Sequence, residues 1–184
     1  MKIKRIALPI SDKDIKSLRC GDSVLLTGSM LTARDASHKL ILKALAGKGS
    51  LPFNLDGQTI YYMGPTPARP GHIIGSAGPT TSGRMDQYTP ILLERGLKCM
   101  IGKGRRSAEV REKMMKHRAV YLAAVGGAGA LLSRTIKRIN PVAYTNLGAE
   151  AVYRLEVEDF PAVVINDIYG GDLYDRGKAA YRKA

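Results

Sequence analysis

The 184-residue sequence has no tryptophan, two phenylalanines, two cysteines and three histidines. With no Trp, only two Phe and no recognisable stacking motif or zinc spacing, the usual signature of a single-strand nucleic-acid platform is missing. Cys20 and Cys99 are far apart in the chain. They cannot form a CxxC metal or redox site, and they read as two reduced core thiols of a cytoplasmic protein. No apolar run approaches the roughly 20 residues of a membrane-spanning helix. The start, Met1-Lys2-Ile3-Lys4-Arg5-Ile6-Ala7-Leu8-Pro9, is charged at once and breaks at proline, which is not the pattern of a secretory signal. Paired catalytic carboxylates, a metal-ligand cluster and a Ser-His-Asp arrangement are also missing from the motifs.

What is present is ordinary globular material with an excess of base. Hydrophobic residues make up 45% and charged residues 24%, which excludes a disordered tail. The length suits a single domain over residues 1–184. Lys and Arg number 29 against 16 Asp and Glu, a net charge of +13. The bases cluster between Arg95 and Arg118, in the first twenty residues, and at Arg176, Lys178, Arg182 and Lys183, whereas the stretch from Glu156 to Asp175 is acidic. Such clustering fits a phosphate-backbone footprint, an acidic protein partner or a small dianion.

Short apolar runs bounded by turn residues predict strands at 6–10, 24–27, 59–63, 72–74, 98–101, 119–125, 152–157 and 162–168. Helical spacing predicts a helix through Leu40–Leu45 ending near Gly47, and another through Val110, Met114 and His117 capped by Ser107. A short helix is expected over 128–136, and one after Thr89-Pro90 with Thr89 as cap. Strands outnumber helices without strict alternation, which predicts a single compact layered α/β domain.

Four loops could carry chemistry. Thr32-Ala33-Arg34-Asp35 is close to a capping box, with Thr32 as cap and Asp35 at the third helical position. Arg34 would then add a guanidinium fork to an anion-friendly helix start, or simply be a solvated first-turn residue. His38 would share its face and reads as a packed histidine. Gly75-Ser76-Ala77-Gly78-Pro79-Thr80-Thr81-Ser82-Gly83-Arg84-Met85-Asp86 offers backbone donors and hydroxyls beside Arg84, in neither the Walker nor the dinucleotide-binding spacing. Gly102-Lys103-Gly104 lets backbone approach a ligand while the ammonium points at it. Gly126-Gly127-Ala128-Gly129 reads as a tight strand-to-helix turn. Arg34, Arg84 and Lys103 together suit a small polyanion, with any harder chemistry supplied from elsewhere.

The segments 32–38, 51–57, 75–86 and 156–162, in this order, resemble class I fumarate hydratases, specifically their β subunit or C-terminal domain, with the L-tartrate dehydratase β subunit as a near relative. The string Gly-Pro-Thr-Thr-Ser-Gly-Arg-Met-Asp is its most specific part. The resemblance implies a swivelling β/β/α fold and a hydro-lyase that adds water reversibly to fumarate to give (S)-malate. It implies a four-iron four-sulfur cluster held by a partner α subunit, a dicarboxylate substrate and a dimer of αβ pairs. It assigns Arg34 and Arg84 to the substrate carboxylates, Lys103 to substrate contact, and Thr80 to both contact and proton removal. Ser37 departs from the family's Arg-Asp-Ala-Ala-His. A basic nucleic-acid-binding module is the alternative from another class.

Overall fold

In the computed structural model, residues 3–47 and 50–182 are described; Lys183, the last base of the C-terminal cluster, lies outside them. The elements are β1 (Lys4–Leu8), α1 (Asp12–Ser17), β2 (Ser23–Thr32), α2 (Asp35–Ala46), β3 (Thr59–Tyr61), α3 (Thr89–Glu94), β4 (Cys99–Gly102), α4 (Ala108–His117), β5 (Val120–Ala123), α5 (Gly129–Ser133), β6 (Ile136–Ala143), β7 (Val152–Asn166) and α6 (Leu173–Tyr181). Two 3₁₀ turns, Ser82–Met85 and Thr145–Glu150, complete them. The α/β class is as expected.

The sheet runs β1-β2-β3-β4-β5-β7-β6, and β2 also pairs with β7. That extra ladder closes β2, β3, β4, β5 and β7 on themselves, barrel-like. The pairs β2–β3, β3–β4 and β4–β5 are parallel, whereas β7 runs antiparallel to both β2 and β5.

The middle strands are short and, apart from Thr59, apolar, because both faces are covered. Tyr61, Cys99, Ile101, Val120 and Leu122 point into one core with Phe160. Ile60, Met100 and Tyr121 alternate to the other face and meet Ile41, Leu92 and Val110 of the helices. In the first core, Tyr61 and Phe160 meet edge to face, ring centroids 5.2 Å apart. Ser107 caps α4 as expected, its hydroxyl accepting from Val110 N at 3.3 Å.

Several local expectations are corrected. Residues 72–74 form no strand: His72 N bonds back to Arg69 O at 3.0 Å in a turn, and Ile73 is exposed. The predicted runs 152–157 and 162–168 join into the single long β7. Pro161 is tolerated because it falls between the stretch paired with β6 and the stretch paired with β5. β6 has no apolar run to mark it, because Lys137, Arg138 and Asn140 face outward and Pro141 interrupts it, as an edge strand permits. Thr32 does not cap α2. It ends β2 and accepts from Tyr153 N, while Arg34 takes the cap position. Thr89 is helical, with Tyr88 before it, and its hydroxyl donates to Met85 O.

Four of the nine bases between Arg95 and Arg118 are paired within the fold. Arg105 meets Asp175, Arg111 meets Asp172 and Asp175, Arg106 meets Asp86, and Lys113 meets Glu94. Two of these acids, Asp172 and Asp175, belong to the acidic stretch, so part of the apparent phosphate footprint is internal charge balance. No helix among the described residues is long and apolar enough to cross a membrane.

Candidate active site

Four loops leave the carboxyl ends of the adjacent parallel strands β2, β3, β4 and β5. In open and closed α/β sheets this edge is where ligands are held, because the loops converge there while the strands fix their roots. The first loop is the shortest: β2 ends at Thr32, and Arg34 caps α2. Ser37, the departure from the family motif, locks this start: Arg34 N donates to its Oγ at 2.8 Å, and that hydroxyl donates to Arg34 O at 3.1 Å. The side chain of Arg34 passes so close to Gly64 that a Cβ there would lie 2.8 Å from its Nη1. Its Nη2 is 3.6 Å from Glu150 Oε1, and its Nε is buried without a partner.

The second loop returns along the sheet. Thr80 N donates to Tyr62 O at 2.8 Å, Lys103 N donates to Thr80 O at 3.2 Å, and Ser82 N donates to Lys103 O at 2.8 Å. Thr80 and Lys103 therefore sit on adjoining rungs. Gly102 permits this approach, since a Cβ there would fall 2.0 Å from Ser82 Oγ. The 3₁₀ turn then presents Arg84, whose Nη2 donates to Thr80 Oγ1 at 2.9 Å and to Asp35 Oδ2 at 2.7 Å. The fourth loop borders the lysine: a Cβ on Gly126 would sit 3.6 Å from Lys103 Cδ. Ala77 N donates to Gly129 O at 3.0 Å, which makes this the close-packed turn expected from sequence.

Arg84, Thr80 and the Lys103 backbone are thus joined by direct bonds, and Arg34 is adjoined through Asp35. The motifs assign Asp35 only a capping role, and Glu150 lies outside them. Glu150 Oε2 accepts from Ala36 N at 2.8 Å, anchoring the start of α2 from the far side. Glu150 carries no sequence signal, because its partners Arg34 and Ala36 come from a distant segment.

His38 is fully buried, stacked on Tyr88 and edge-on to Tyr62. Its Nδ1 lies 2.7 Å from Arg34 O, which makes Nδ1–H the donor and leaves Nε2 without a partner. Burial pushes its pKa down to about 4 against the favourable Arg34 carbonyl, and the charge of Arg106 lowers it further. It is the neutral packed histidine expected, holding the carbonyl of Arg34.

The arrangement can grip carboxylates. Arg84 pairs with Asp35 and Arg34 lies near Glu150, and Lys103 on the adjoining rung is the third cation against these two acids, so a net positive charge remains for an anion. A guanidinium donating to Thr80 Oγ favours the oxyanion form over the hydroxyl.

An iron–sulfur cluster does not fit this chain. A four-iron cluster is normally held by several thiolates. Cys20 and Cys99 are both buried and free, and burial pushes the Cys99 thiol up to about 12. Among the described residues no group of three or more His, Cys, Asp or Glu is placed to hold a metal ion.

Residues 1–177 match the family described as Fumarase C-terminus. The chain is similar to fumarate hydratase 2 of Leishmania major, 39% identical over 158 residues, covering 85% of this chain and 28% of that protein. It is similar to the anaerobic class I fumarate hydratase of Escherichia coli, also 39% identical, over 82% of this chain and 28% of that enzyme. A candidate L(+)-tartrate dehydratase subunit beta of Methanocaldococcus jannaschii is 36% identical over 95% of this chain and 93% of its own. The chain thus spans a little over a quarter of the length of these two fumarate hydratases and nearly all of the tartrate dehydratase subunit. On the extent of these matches, the chain belongs to the Fumarase C-terminus family.

Proposed function

We propose that this chain is the β subunit of a two-subunit class I fumarate hydratase, a hydro-lyase that interconverts fumarate and (S)-malate. The observation that carries the reading is the convergence of Arg34, Thr80, Arg84 and Lys103 at one edge of the sheet. A dicarboxylate needs cations on both of its ends, and each charge-assisted hydrogen bond contributes about 1.5–3 kcal/mol. Arg34, Arg84 and Lys103 hold the carboxylates and fix the orientation of the carbon skeleton between them. Thr80, polarised by Arg84, exchanges the proton on carbon. The cluster implied by the resemblance has no seat among the described residues of this chain, so the α subunit would carry it, in a cytoplasmic assembly of two αβ pairs.

The near-complete match to the tartrate dehydratase subunit favours one second reading, in which the same site takes L-tartrate. Both readings are tested by mixing the purified chain with the α polypeptide and assaying fumarate hydration and tartrate dehydration side by side. The fumarate reading expects hydration only in the mixture. Preferential turnover of tartrate would replace it, and turnover by this chain alone would overturn the two-subunit arrangement.

A further inference from the structure

The side chain of Arg106 is completely buried, an uncommon place for a guanidinium. Burial works against its charge, yet the facing Tyr62 and Asp86 outweigh that and hold its pKa above the ordinary arginine value. Nε donates to Asp86 Oδ1 at 2.7 Å, Nη2 to Thr89 Oγ1 at 2.7 Å and Nη1 to the Tyr62 hydroxyl at 3.3 Å. The neighbouring Ser107 N donates to the second Asp86 oxygen at 2.6 Å. Asp86 directly follows the 3₁₀ turn that carries Arg84, and Arg106 lies three residues after Lys103. A second tie runs in parallel: Ser82 Oγ is 2.9 Å from the Tyr121 hydroxyl, which donates to Gly104 O at 2.8 Å.

Stability alone does not call for this pair, since well-packed apolar side chains of similar volume commonly do as well or better. What a guanidinium adds is direction, because its fork meets Asp86 and Thr89 together in one orientation only. We propose that Asp86 and Arg106 are positioning residues: they clamp the loop of Thr80 and Arg84 against the loop of Lys103, so that the spacing of the three groups is set before substrate arrives. The pair touches no substrate and acts through those side chains. The inference rests on the dicarboxylate reading above.

The test uses the assembled enzyme with an Asp86→Leu/Arg106→Met double variant, an Asp86→Asn variant, and Arg84→Lys as a separate check of the dicarboxylate reading. The double variant is expected to keep a Tm near that of the parent, yet to lose about tenfold to a hundredfold in kcat/KM. Its amides at residues 83–86 should exchange with deuterium faster than in the parent. Asp86→Asn, which keeps the volume but not the charge, should show the same loss, and it decides the matter if the double variant does not fold. Either variant folded with kcat/KM within about twofold of the parent, while Arg84→Lys is impaired, would overturn the clamp. Full activity in Arg84→Lys would instead sink the reading beneath it. In the unsubstituted chain, rapid exchange of the Asp86 and Ser107 amides would also overturn the clamp, whatever the variants do.

Discussion

Arg84 Nη2 gives both of its hydrogens away within the protein, one to Asp35 Oδ2 at 2.7 Å and one to Thr80 Oγ1 at 2.9 Å. Asp35 directly follows Arg34, so one carboxylate ties the two arginine-bearing loops together and settles how Arg84 is aimed. Neither bond uses Nη1, which is left to meet a ligand oxygen. A bidentate grip through both Nη atoms requires Asp35 or Thr80 to release its share.

Replacing either arginine by lysine keeps the charge and loses the fork. In the assembled enzyme, Arg34→Lys and Arg84→Lys are each expected to lower kcat/KM roughly tenfold to a hundredfold, the equivalent of one charge-assisted bond. Steady-state kinetics on the two variants checks this, and a near-parental value in either would contradict the role assigned to that arginine.

His38 predicts a pH dependence of stability. Its folded pKa of about 4 lies below the ordinary 6.5, so the unfolded chain binds the proton more readily between those values. The stabilisation from keeping it neutral is full above pH 6.5 and declines as pH falls towards 4, by up to about 1.4 kcal/mol per pH unit. Urea unfolding at pH 7 and pH 5, compared with His38→Gln, should show this slope in the parent and its loss in the variant.

The barrel interior predicts a large packing effect. Phe160 is fully buried against Tyr61. Phe160→Ala should cost about 3–5 kcal/mol of unfolding free energy, measured by denaturant titration. A cost near zero would mean that the closed sheet is not packed as described.

The thiols give a chemical check. Cys20 and Cys99 are both buried, and burial raises the pKa of each. The folded chain should react slowly with a thiol reagent at neutral pH, whereas the unfolded chain should release two equivalents promptly.

Local chemistry made part of this legible from the sequence. Ser107 as a cap, the apolar runs of β3, β4 and β5, and the glycines around Lys103 each follow from neighbours in the chain. The closure of the sheet was not legible, because it depends on β2 meeting β7 across the whole length of the molecule. β6 was hidden because an edge strand need bury little. The same distinction holds in the site. Arg34, Asp35, Thr80, Arg84, Asp86 and Lys103 all stand in motifs, but the partners of Asp35 and Asp86, and the roles of Glu150 and Arg106, appear only on folding.

The most direct test of the central claim is a structure of the assembled enzyme with malate bound. The account predicts carboxylate oxygens within about 3 Å of the Arg34, Arg84 and Lys103 nitrogens, with the Thr80 hydroxyl against the substrate. Malate bound elsewhere, with these four side chains free of it, would contradict the account.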